Sequence, residues 1–189
     1  MAEDGMDSSS VYDDQLKVTP GSLSNPRKVS NSELPDKNYL IGQFNSKIEK
    51  GAKSSGSTLK PIKQNISSCS IMDSLVIGAN VINTDGLNGR AALLSCLDGN
   101  ATVTAEVFDY SKPTDPAMSS KFRARLDYVD FANGKLLSTY MASGEGRKFY
   151  IFEWIGEKKS VTLSILGEVN ASPLSLKDTA LAVVSELAQ

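Results

Sequence analysis

The chain has 189 residues, 40% hydrophobic and 22% charged, which suits one packed core and implies, with an apolar fraction below the usual half, that part of the chain stays outside it. Its 20 Lys and Arg against 22 Asp and Glu leave a net charge of −2, too little for a global field that would hold nucleic acid or an anionic membrane. Histidine is absent, which removes the usual general base and the commonest metal ligand and excludes Ser-His-Asp and Cys-His hydrolases, HExxH zinc enzymes and zinc deaminases.

Residues 1–7 carry neither the basic flank nor the apolar run of a secretory signal, and no stretch of about 18 apolar residues follows. The expected location is therefore intracellular, in the cytoplasm. Residues 1–65 hold three of the thirteen aromatics (Tyr12, Tyr39, Phe44) and four of the seven prolines, with runs such as Lys53-Ser54-Ser55-Gly56-Ser57. That is too little apolar matter to offset the entropy of ordering the chain, so this part reads as a long flexible, partly helical segment and residues 66–189 as the globular domain. Its charge is polarised: residues 1–15 carry five acids and no base, residues 16–65 nine bases and three acids. Such a segment can meet phosphates, an anionic membrane surface or a protein partner. Ile41, Phe44 and Ile48 follow helical spacing and predict a short helix over Asn38 to Lys50, docked or formed on binding.

From residue 66 onward the pattern is that of strands. Leu75 to Ile82 and Ala91 to Leu97 are short apolar runs around the turn formers Asn83 to Gly89, and Asp98-Gly99-Asn100 supplies a further turn. Val103, Ala105 and Val107 alternate with Thr102, Thr104 and Glu106, and Phe122, Ala124, Leu126 and Tyr128 alternate with Arg123, Arg125 and Asp127, each a strand with one wet face. The stretch between them, Lys112 to Lys121 with Pro113 and Pro116, predicts an exposed loop. Asn133-Gly134 predicts a type I′ hairpin with Lys135 to Met141 as the return strand. Phe149 to Ile155 and Val161 to Val169 form another pair around Gly156 to Lys159. Leu176, Ala180, Val183, Val184 and Leu187 fall on one helical stripe, opened by a capping-box-like Ser175-x-x-Asp178. The expected fold is mainly β: an antiparallel β sandwich or barrel with a C-terminal helix, preceded by the long flexible N-terminal segment.

Neither Asp85 to Arg90 nor Gly144-Glu145-Gly146-Arg147-Lys148 fits a phosphate-cradling motif, and the second has the setting of a hairpin turn rather than of a helix N-terminus. The acidic pairs Asp127 with Asp130 and Glu153 with Glu157 read as solvated strand faces. Cys69 and Cys96 have small or apolar neighbours and are expected as buried structural thiols, a cytosolic setting arguing against a disulfide. No catalytic residue, metal site or cofactor is expected.

Alternation places Lys121, Arg123 and Arg125 on one strand face, with Arg147 and Lys148 beside another strand, a candidate basic patch for nucleic acid or another anion. Phe149, Tyr150, Phe152 and Trp154 read as core rather than as base-stacking platforms, because no RNP-type signature accompanies them. The functional expectation is a non-enzymatic assembly or macromolecule-binding protein that self-associates and contacts nucleic acid or membrane. An arm joined to a β body is the general plan of viral structural (matrix or capsid-like) and movement proteins, an analogy of architecture. The alternative is a small-ligand carrier or carboxylate-dependent enzyme with a pocket in the β domain.

Overall fold

A computed structural model describes residues 26–51, 62, 66, 69–77, 88–109 and 128–189. In chain order these form β1 (Arg27–Lys28), α1 (Lys37–Gly51), β2 (Cys69–Ile77), β3 (Asn88–Cys96), β4 (Ala101–Asp109), β5 (Val129–Phe131), β6 (Gly134–Ser143), β7 (Arg147–Ile155), β8 (Lys159–Glu168) and α2 (Pro173–Leu187). The strand predicted over residues 122–128 lies outside the described residues except for Tyr128, as do residues 1–25, the loop over residues 112–121 and most of the turn over residues 83–89.

All eight strands belong to one sheet, in the order β1-β6-β7-β8-β4-β3-β2, with β5 on the same edge of β6 as β1. The sheet is mixed, because β1 runs parallel to β6 while the other pairings are antiparallel. This corrects the expected sandwich or barrel. The two meanders, β2-β3-β4 and β5-β6-β7-β8, do not stack on each other; they join edge to edge through nine β4–β8 pairs running from Ala101↔Gly167 to Asp109↔Lys159. The result is one open sheet whose faces are packed by helices instead of by a second sheet.

Alternation sorts the strand side chains between the two faces. Val103, Ala105 and Val107 of β4, Val161, Leu163 and Ile165 of β8, and Tyr150, Phe152 and Trp154 of β7 share one face and form the main core. The stripe Leu176, Ala180, Val183, Val184 and Leu187 of α2 closes that core, each fully buried Val or Leu contributing about 1.5–3 kcal/mol. The helix starts three residues before the predicted capping box: Ser172 is the N-cap, its Oγ accepting the Ser175 N–H at 3.1 Å, and Pro173 takes the first helical position, where its missing N–H costs nothing. On the opposite face α1 presses Phe44 onto Ala91 and Leu93, with Ile41 and Phe108 beside them. The predicted N-terminal helix thus docks on the sheet.

The β5–β6 hairpin is shifted one residue from the expected Asn133-Gly134 turn. Its two turn residues are Ala132 and Asn133, at φ of 48° and 60°, while Gly134 opens β6 opposite Phe131. Trp154 explains the shift. Its indole Nε1 donates to the Phe131 carbonyl at 2.7 Å, laying the ring across Gly134, where a Cβ would come within 2.6 Å of the indole and 2.5 Å of the Ile155 carbonyl oxygen. Glycine is thus required for close approach, and Ala132 is left in a left-handed conformation that costs an L-residue about 1–2 kcal/mol.

Cys69 and Cys96 are both buried, but as a disulfide rather than as thiols. The β2–β3 register sets them directly opposite one another, an adjacency that a separation of 27 residues does not disclose. The bond ties the first residue of edge strand β2 to the last of β3.

Three outcomes are expected in urea denaturation. Gly134→Ala destabilises by about 2 kcal/mol or more through overpacking against Trp154, whereas Ala132→Gly stabilises by about 0.5 kcal/mol as relief of the left-handed backbone outweighs the added chain entropy. The double variant C69S/C96S loses about 2–4 kcal/mol, as closure of a loop of this length implies.

Candidate functional site

Among the described residues, the face opposite α2 is only partly covered. α1 lies over β2, β3 and β4, and beyond it β8, β7 and β6 present Thr162, Ser164, Ile151, Glu153, Tyr140 and Phe149 at intermediate exposure. The chain leading into α1 forms a strap along one end of this surface. Val29 N–H donates to the Ser143 carbonyl at 3.0 Å, continuing the β1–β6 pairing. Asn31 then fills the β6–β7 turn: its Oδ1 accepts the Gly146 N–H at 3.0 Å, and its carbonyl accepts Arg147 Nη2 at 2.7 Å. Gly144 leaves room for this asparagine, because a Cβ there would collide with Asn31 Oδ1 unless that side chain moved. The glycine-containing stretch Gly144 to Lys148 is therefore a hairpin turn, as expected, and it holds an asparagine.

Strap and sheet together enclose a groove of about 440 Å³, lined by Glu33, Leu34, Pro35 and Tyr39 on one side and Tyr140, Phe149 and Ile151 on the other. Leu34 is buried under the strap, while Tyr39 is 56% exposed at the rim. The Tyr140 and Phe149 rings stand 6.0 Å apart with planes tilted by 54°. Glu33 is held by the Ser30 N–H at 2.9 Å. Asp36 caps α1 by accepting the Tyr39 N–H at 2.8 Å, and the Gln43 side-chain amide donates to the Tyr39 hydroxyl at 3.0 Å. A larger hollow of about 590 Å³ between the end of α2 and the sheet turns is walled by the exposed Glu157 and Lys158. Trp154, its one aromatic among the described residues, already spends its N–H on Phe131, so this hollow offers fewer convergent apolar groups.

Of the five basic residues singled out in the sequence, Lys121, Arg123 and Arg125 lie outside the described residues. Arg147 and Lys148 are successive residues of β7 and point to opposite faces. Arg147 reaches Asn31 in the strap, while Lys148 Nζ donates to the Ala171 carbonyl at 3.0 Å in the β8–α2 loop. The structure does not bring these two cations together, and each is spent on a backbone carbonyl. Among the acids, Asp130 pairs with Lys135, and Glu153 and Glu157 lie in β7 and in the following turn. Phe149 leaves the aromatic core run for the groove, whereas Tyr150, Phe152 and Trp154 stay in the core. Among the described residues no three Cys, Asp or Glu side chains are grouped as a metal ion requires.

The groove residues from Glu33 to Tyr39 fall in the stretch that composition assigns to a solvated segment. The available signal was local: Asp36 is an acidic N-cap, and Tyr39 and Phe44 are two of only three aromatics in the first 65 residues.

No protein-family model and no curated protein matches this chain. Among solved structures, it is similar to the crystal structure of the extracellular domain of PknH from Mycobacterium tuberculosis, at 12% identity over 84% of this chain and 94% of that one, with a TM-score of 0.35. A likeness of that strength has no bearing on what this chain does.

Tyr150 is buried in the α2-side core with its hydroxyl unpartnered among the described residues, and burial pushes its pKa up from 10.0 to about 12. The folded state therefore holds this proton more tightly than the unfolded state. Its contribution to stability is complete below pH 10 and is lost as pH rises toward 12. Tyr150→Phe removes that alkaline loss from the pH dependence of urea unfolding. At neutral pH it leaves stability unchanged or raised by about 1 kcal/mol, since a buried hydroxyl without a partner disappears.

Proposed function

We propose that this chain is a non-enzymatic binding protein that holds its partner in the groove between the strap, the start of α1 and strands β6 and β7. The observation that carries this reading is the convergence of three aromatic rings and three aliphatic side chains on one concave surface, the ordinary make-up of a binding pocket. The site is also preorganised: Asn31 pins the strap, Ser30 holds Glu33 and Gln43 holds Tyr39, so little ordering remains to be done on binding.

Two further features bear on the choice among the functions the sequence leaves open. The outer edge of β2 carries a register shift between Ile71 and Asp73 and the exposed acid Asp73, devices that blunt pairing of one sheet edge with another. This favours the ligand-holding reading over assembly through sheet edges. The disulfide, in turn, supports an oxidising setting such as the outside of a cell, because protein disulfides persist there and are rare in the cytosol. We propose that setting in place of the cytoplasmic one.

The test is a fragment screen of full-length protein by nitrogen–proton NMR. Small apolar fragments are expected to shift the amide signals of Tyr39, Tyr140, Phe149 and Ile151 together, and Ile151→Glu is expected to weaken those fragments at least tenfold without unfolding the chain. Fragments that bind only elsewhere, or a screen in which the groove signals never move, would show that the groove is not the binding surface.

A further inference from the structure

Resting on the groove as the binding surface, we propose that its ligand is a small soluble quaternary ammonium compound. Three of its lining residues, Tyr39, Tyr140 and Phe149, are aromatic, and each ring face carries the negative end of a quadrupole that attracts a cation placed over it. The 54° tilt between Tyr140 and Phe149 makes them two walls of a wedge instead of a closed stack.

The charges agree in sign. Among the described residues Glu33 is the one charged residue of the lining, and Asp36 stands three residues further along at the cap of α1. Arg147, which follows the same turn, directs its Nη2 to the Asn31 carbonyl and is not part of the lining. Among the described residues, a cation entering the groove meets aromatic rings and a carboxylate and no lining residue of its own sign.

The remaining walls decide which cation fits. Leu34, Pro35 and Ile151 present aliphatic surface, and the Ile151 carbonyl already accepts the Thr139 hydroxyl at 3.4 Å. A primary ammonium or a guanidinium brings three to five N–H donors that need acceptors, and burying them against this wall would leave donors unsatisfied. A quaternary ammonium has no N–H and is sheathed in methyl groups, so it takes the aliphatic wall, the rings and the carboxylate without an unmet hydrogen bond. At about 440 Å³ the groove has room for such a headgroup and a short polar extension.

The experiment compares choline chloride with 3,3-dimethyl-1-butanol, its uncharged isostere, by NMR titration of the Tyr39, Tyr140 and Phe149 ring signals in the full chain at constant ionic strength. Choline is expected to bind at least about tenfold more tightly than the alcohol. Glu33→Gln, which keeps an acceptor for Ser30, and Tyr39→Ala, at an exposed rim position, are each expected to weaken choline about threefold to tenfold, while Tyr39→Phe restores most of the loss. Equal affinities at the same ring signals would overturn the cation assignment and leave the groove as a binding surface. Failure of both probes to move the ring signals would overturn the cation assignment and count against the groove itself. Co-sedimentation with phosphatidylcholine vesicles in the absence of any choline binding would overturn the assignment to a soluble compound in favour of a lipid surface.

Discussion

The seam between β4 and β8 is the constraint on which the rest of this molecule depends. Each meander is held by local hairpins, and nine consecutive pairs between residues 101–109 and 159–167 make them one sheet. One face of the seam is also dry: Val103, Ala105, Val107, Val161, Leu163 and Ile165 are wholly buried. Long-range pairing of this kind carries a loop-closure cost before any contact is made. Continuous burial along one face offsets that cost.

Joining edge to edge gives the sheet two faces of different character. One face receives α2 and closes into the main core. The other receives α1 over β2, β3 and β4, while β8, β7 and β6 keep side chains of intermediate exposure there. The strap completes the site because Asn31 replaces solvent at the β6–β7 turn, satisfying the Gly146 amide and the Arg147 guanidinium at once. Two glycines in that turn matter for packing against the strap and not for cradling an anion. The groove is thus a consequence of where the sheet stops being covered, and its walls come from segments more than 100 residues apart in the chain.

Much of the fold was legible because alternation is a local property. Residues 103–107 and 161–165 show a period of two, the return strand after Asn133 was legible from its turn, and the stripe from Leu176 to Leu187 shows a helical period. Pairing across distance was not legible. Nothing in the spacing of Cys69 and Cys96 says that they face each other, and nothing in the two meanders says whether they stack or merge. The Asn133-Gly134 motif misplaced its turn by one residue because the deciding contact is Trp154, 20 residues further on. Arg147 and Lys148 show the opposite lesson: their divergence follows from adjacency within a strand and was present in the sequence. The groove stayed hidden because half of it lies in a stretch whose average composition is that of a solvated segment, although Leu34, Leu40 and Phe44 are buried.

The most direct measurement is a nuclear Overhauser spectrum of the full-length protein, selectively labelled at Leu, Ile, Tyr and Phe. Cross-peaks are expected from Leu34 and Tyr39 to Tyr140, Phe149 and Ile151, placing the strap and the sheet on either side of one groove. A folded β4–β8 seam with no cross-peak between those two groups would contradict it, because the rings would then belong to separate surfaces.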